Sequence, residues 1–179
     1  MSNIKNIYVK KRKVIIFFSI SIIFTSIFLF LFDDIVNFET KPFKSIIGIL
    51  GFILFSFGVF LSIYLFLRKS PLVTILDDAI IINMYFQKEI KIKFENVESF
   101  FIVETRHRGI VSNRQIFIEL KKPSIKYSNS VQYKFLKKIM PLKVANSQYS
   151  IQTNFLDINH DELLKILNKK LIDFNKSKN

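Results

Sequence analysis

Two apolar stretches near the start of the chain decide what it can fold into. They are VIIFFSISIIFTSIFLFLF (Val14 to Phe32) and SIIGILGFILFSFGVFLSIYLFL (Ser45 to Leu67), and neither carries a charge. As helices they would span about 28 and 35 Å, against a bilayer hydrocarbon core of about 30 Å. Val, Ile, Leu and Phe dominate both, and each such residue contributes about −0.3 to −0.6 kcal/mol to insertion. The sequence therefore predicts a membrane α-helical hairpin: one transmembrane helix over 14–32 and a second over 45–67.

The flanks predict its orientation. Residues 1–13 form a basic segment with Lys5, Lys10, Lys11, Arg12 and Lys13, and Arg68 and Lys69 follow the second stretch. The connection, residues 33–44, sets Asp33, Asp34 and Glu39 against Lys41 and Lys44. Basic residues stay on the cytoplasmic side. Both termini are expected there, with 33–44 as an extracytoplasmic loop of a multi-pass protein in a bacterial inner membrane. A signal peptide is the competing reading of a basic start and an apolar run. Here the run is too long, and bulky FLFLF passes straight into Asp33 with no small-residue cleavage site.

Within the second stretch Gly48, Gly51, Gly58 and Ser62 fall inside about 80° of one another at helical spacing, one small-residue face. In the first stretch Ser19 and Ser26 share a face. Small residues let helix backbones approach closely in lipid, so packing inside the hairpin is expected, with homo-oligomer contact as the alternative. A pore is not expected, because ionisable groups mark such routes and these stretches have none.

The remaining chain is long enough for an independent core. The protein has no cysteine, which removes disulfides and thiolate ligands. After Pro71 the pattern changes to alternation. PLVTIL and AIIINMYF read as strands around a turn at Asp77 and Asp78. EIKIKF places Ile90, Ile92 and Phe94 on one face, and ENVESFFIVET continues as strand. RHRGIVSN breaks the pattern, with Gly109 and Asn113 as turn residues. RQIFIELKK and QYSIQTNF alternate again. Such short intervals leave no room for crossover helices, so the sheet is antiparallel. The last segment reads as a helix, with Asn159 and Glu162 as a capping box and Leu163, Leu164, Leu167, Leu171 and Phe174 on one stripe. Beyond Phe174 a frayed tail is expected. Roughly six or seven strands closed by one helix predict a cytosolic α+β domain over 70–175, an antiparallel sheet or partial barrel, and this order resembles the pleckstrin-homology-like (PH-like) superfold.

Over nearly its whole length the chain also resembles an uncharacterised family of small bacterial membrane proteins, with two spans and then a β-rich domain. The resemblance is carried by PLVTILDDAI after the second span, by Ile92, Phe94 and Val97, and by the terminal DINHDELL. That family tends to have Gly where Ala79 stands, Trp where Phe94 stands and Asp where Asn96 stands. The resemblance implies architecture and brings no activity.

No catalytic, cofactor-binding or metal-ligating constellation is legible. His107 lies between two arginines and His160 in the first turn of the last helix, both read as plain surface residues. Asp77 and Asp78 read as a hairpin turn. Three of the four glycines lie in the apolar stretches, which leaves no phosphate-cradling loop. The richest candidate is KKPSIKYSNSVQYKFLKKIMPLK, residues 121–143, which contains no acid. A short helix is expected over Gln132 to Ile139, stopped by Pro141. Lys121, Lys122, Lys126, Lys134, Lys137 and Lys138, with Tyr127, Tyr133 and Phe135 interleaved, form a candidate surface for anionic lipid or a partner protein. The alternative is a solvated loop whose lysines follow the base composition of the genome. Nucleic acid ranks below lipid, because the charges are already tethered beside a negative surface. The expected function is a non-enzymatic membrane protein that presents a PH-like domain for protein interaction or anionic-lipid contact. An immunity protein against a membrane-acting or periplasm-delivered toxin is an alternative, as is an accessory subunit of a membrane enzyme or transporter.

Overall fold

The computed structural model describes residues 4–37, 39–83 and 88–178. The side chains of Asp33, Asp34, Arg106, His107, Ile110, Val111, Ser112 and Lys178 also lie outside the description. The chain forms two compact units, one of residues 1–8 with 70–179 and one of residues 9–69.

The smaller unit is a helical hairpin. Helix α1 spans Lys11–Phe30, a four-residue α2 spans Phe32–Ile35, and α3 spans Pro42–Leu67. Proline at the first position of α3 needs no N–H and is already set to the helical φ. Both long helices are long and apolar enough to cross a membrane. Only 17% and 11% of their most apolar windows is buried in the molecule. A core helix of a soluble protein would be mostly covered. Here Phe30, Phe43 and Leu67 are exposed by 88%, 80% and 68%.

The larger unit holds two open antiparallel sheets. The first contains β1 (Lys5–Ile7), β2 (Val73–Ile75), β3 (Ala79–Ile82) and β4 (Ile90–Lys93), in that spatial order. A 3-10 turn at Phe94–Asn96 leads into the second, made of β5 (Val97–His107), β6 (Ile110–Leu120) and β7 (Tyr149–Gln152). Three short helices, α4 (Ile125–Ser128), α5 (Val131–Ile139) and α6 (Leu142–Ala145), lie between β6 and β7, and α7 (His160–Lys178) ends the unit. No barrel is closed among the described residues.

Alternation does the work in the strands. Ile92, Phe94, Ile116, Ile118 and Ile151 are buried while Lys91, Lys93 and Gln152 point to solvent. On α7, Leu163, Leu167 and Leu171 are buried one helical turn apart and pack toward β5 and β6. Phe94 stands at the centre of this core, fully buried, with Phe100 and Phe174 around it at ring separations of 6.3 and 6.0 Å. Asn159 caps α7 as expected: its side-chain oxygen accepts from the Asp161 N–H at 3.3 Å.

Three expectations are corrected. The basic segment 1–13 is not simply a cytoplasmic leader, because Lys5–Ile7 is an edge strand paired antiparallel with Val73–Ile75. The helical hairpin is thus inserted between two neighbouring strands of one sheet. The β5–β6 connection is tight, with Arg108 and Gly109 at φ of 50° and 81°, the primed turn that matches strand twist. Asn113 sits within β6 opposite Thr105 rather than in the turn. Helix α7 runs to Lys178 instead of fraying after Phe174, since NKSK holds no helix breaker and the Ser177 hydroxyl donates back to the Phe174 carbonyl at 2.8 Å. Asp77 and Asp78 do form the β2–β3 turn, and Asp77 pairs with Lys170 of α7 at 2.7 Å. Much of the expected returning strand AIIINMYF is β3, while Met84 to Phe86 lie outside the described residues.

Candidate functional site

The segment from Lys121 to Lys143 is an outlying helical layer rather than a loop. Ser124 caps α4 and Ser130 caps α5, each hydroxyl accepting an N–H three residues on, from Tyr127 at 3.3 Å and from Tyr133 at 3.1 Å. Helix α5 covers the expected Gln132 to Ile139, and Pro141 precedes α6.

Two tyrosines tie the layer to the unit. The Tyr127 hydroxyl donates to the Ala145 carbonyl at 3.1 Å, and the Tyr133 hydroxyl donates to Asn146 Oδ1 at 3.3 Å. Their rings meet edge to face at 5.4 Å. Burial, and then repulsion from the Tyr133 hydroxyl, push the Tyr127 hydroxyl above its ordinary value of 10.0. Lys143 docks α6 on the sheet: its ammonium lies 4.6 Å from the Phe101 ring centroid and 3.9 Å from Glu119 Oε2, which also accepts from the Ser99 hydroxyl at 2.7 Å.

Lys143 is engaged in this way, and the other six lysines are not. Lys121, Lys122, Lys126, Lys134, Lys137 and Lys138 are all exposed, and none has an ion-pair partner among the described residues. The structure gathers Lys134, Lys137 and Lys138 on α5, puts Lys126 on α4, and leaves Lys121 and Lys122 in the bend after β6. What the residue types did not reveal is the direction of the apolar side chains. Val131, Phe135 and Ile139 recur every four residues on α5 and point outward, 85%, 60% and 55% exposed. Ile125, Met140 and Leu142 are exposed beside them.

The small-residue face of the hairpin divides. Gly58 faces Ser21, and a methyl group there would lie 2.6 Å from the Ser21 hydroxyl; at Gly48 it would lie 2.3 Å from the Ile35 side chain. Ser62 is buried and donates to the Gly58 carbonyl at 2.7 Å. Gly51 meets nothing within 4 Å. On α1 the packed face carries Val14, Ser21 and Phe28, while Ser19 and Ser26 are exposed. Phe24 stacks on Phe55 at 4.5 Å and Phe28 on Phe52 at 4.8 Å. At the other end the Lys11 ammonium bonds the Phe66 carbonyl, a cation at the negative end of α3.

Elsewhere, Arg114 pairs with Glu104 across β5 and β6 at 2.8 Å and also meets His160, which lies 3.3 Å from Asp161. This cluster stitches α7 to the sheet. A cleft of about 160 Å³ beside β1 is lined by Lys5, Asn6, Tyr8, Asp157 and Glu162, again with both signs of charge. No group of three or more His, Asp or Glu arranged to hold a metal occurs among the described residues. Comparison with protein-family models, with curated proteins and with solved structures finds no match to the chain.

Proposed function

We propose that this chain is a bacterial inner-membrane protein, anchored by α1 and α3 with both termini in the cytoplasm, whose larger unit is a PH-like domain serving non-catalytic binding at the membrane surface. The observation that carries the reading is the insertion of two apolar helices of bilayer-spanning length between β1 and β2. Strands that pair must lie on one side of a bilayer, so the two crossings return the chain to where it began. The basic residues Lys10 to Lys13, Arg68 and Lys69 favour the cytoplasm as that side. Four strands, then three, then a covering helix support the PH-like assignment. The six exposed lysines, without an ion-pair partner among the described residues, in an acid-free segment support an anionic target, a lipid headgroup or an acidic protein surface.

The test is topological. A reporter fused after Asn179 should be active as a cytoplasmic marker, and one inserted between Glu39 and Thr40 as an external one. Alkaline washing should leave the protein in the membrane pellet. Release into the supernatant, or matching reporter signals at both positions, overturns the reading.

A further inference from the structure

Helix α5 has the amphipathic pattern of a packed helix but presents its apolar side to the outside. On α7 the equivalent leucines are buried against the sheets; on α5 Val131, Phe135 and Ile139 are among the more exposed apolar residues of the larger unit. The tyrosine anchors fix this direction. Tyr133, tied to Asn146, holds one side of α5 to the unit, which turns the valine–phenylalanine–isoleucine stripe away from it. Lys134 and Lys138 stand next to that stripe on the helix wheel, and the nearest acids in sequence are Glu119 and Asp157.

We propose that α5 is a shallow membrane wedge: Val131, Phe135 and Ile139 enter the acyl-chain boundary of the cytoplasmic leaflet while Lys134 and Lys138 bind anionic lipid phosphates. A helix with a basic polar face and an apolar face lies in the plane of the interface with its apolar side sunk about 5–10 Å. Met140 and Leu142, which follow the helix in sequence, are exposed as well. The occupant is a bilayer, not a soluble partner, because this chain brings its own. The links Tyr8–Lys10 and Arg68–Leu72 can extend at most about 10 and 18 Å, so the larger unit is confined to the membrane surface. The proposal rests on the anchored reading above and adds the surface, its depth and its lipid preference.

The chain has no cysteine, so Phe135→Cys gives a single labelling site for an environment-sensitive fluorophore on the full-length protein. The labelled protein is placed in nanodiscs of phosphatidylcholine alone or with phosphatidylglycerol. In anionic nanodiscs the emission should shift to the blue and be quenched by lipid carrying a spin label just below the headgroup. Lys134→Gln with Lys138→Gln should lower the ratio of inserted to withdrawn helix, about fivefold for each lysine removed. Val131→Ser with Ile139→Ser, both on the exposed face, should abolish the shift while the protein stays in the disc. Aqueous emission in anionic nanodiscs overturns the wedge and leaves the anchor standing. A blue shift without lipid quenching means protein covers the site and likewise overturns it. An equal shift in neutral nanodiscs removes the lysine–phosphate part. Failure of the protein to enter nanodiscs of either kind refutes the anchor itself, which separates the two readings.

Discussion

At the scale of single residues, identical side chains do unlike jobs. Gly51 and Gly58 both sit on the small-residue face of α3, yet one faces open space and the other faces Ser21. Gly58→Ala should destabilise the hairpin by about 1–3 kcal/mol through overpacking. Gly51→Ala should be neutral or raise stability by up to about 1 kcal/mol, the ordinary gain from replacing glycine in a helix. Thermal unfolding of the full chain in detergent checks both, and equal effects would show that the face does not pack as described. Spacing alone found the glycines but not the serine that meets them. Ser19 and Ser26 lie seven apart, and so do Val14, Ser21 and Phe28, so periodicity could not choose between the faces. The choice is made by what α3 offers in return, a glycine opposite Ser21. Tyr127 makes a second residue-scale case. Its hydroxyl titrates higher in the folded chain than in the unfolded one, with burial as the main cause. Its contribution is therefore complete below pH 10 and is lost as pH rises from about 10 through the folded value. Tyr127→Phe should flatten that alkaline decline in urea midpoints, while giving up the bond to the Ala145 carbonyl at every pH.

At the scale of elements, burial decides which amphipathic helix is structural. Leu167 of α7 is fully buried, so Leu167→Ala should cost about 2–5 kcal/mol in urea unfolding of the larger unit. A truncation on the exposed side of α5, such as Val131→Ala, should stay within about 0.5 kcal/mol. Helix α7 was legible in the sequence because its leucine stripe and capping box agree with each other. Strand β4 and the Gln115–Leu120 half of β6 were legible because alternation there is undisturbed. The β5–β6 turn was misplaced because the eight residues RHRGIVSN mix charged, apolar and turn-forming side chains with no clear alternation. Backbone conformation narrows the break to Arg108 and Gly109, and pairing across the sheet recruits the rest. Helices α4 and α6 span four residues each, too short for periodicity to register. That α5 faces outward was invisible for a different reason: sequence gives the pattern of a helix, and only its neighbours give the direction.

At the scale of the whole molecule, the feature the sequence concealed is β1. Three residues of ordinary polarity, Lys5–Ile7, carry no strand signal, and their partner follows two long helices. Pairing so remote in sequence is decided by the vacant edge of β2 and by the burial of Ile7, 4% exposed. Removing residues 2–7 should therefore destabilise the larger unit by about 2–4 kcal/mol, from lost burial and the bonds β2 no longer makes. It should also promote association through the bared edge, seen by light scattering of the detergent-solubilised protein. Unchanged unfolding after that deletion would mean that β1 is not part of the unit's fold. The arrangement has a consequence during biosynthesis. Lys5–Ile7 leaves the ribosome before either helix, and Val73–Ile75 after both, so in the proposed anchored topology the sheet is completed only when the number of crossings is even. A nascent chain with one helix stranded outside the lipid places these segments on opposite sides and keeps a sticky, unfinished edge. On the anchored reading, pairing of Lys5–Ile7 with Val73–Ile75 therefore depends on both helices having entered the lipid.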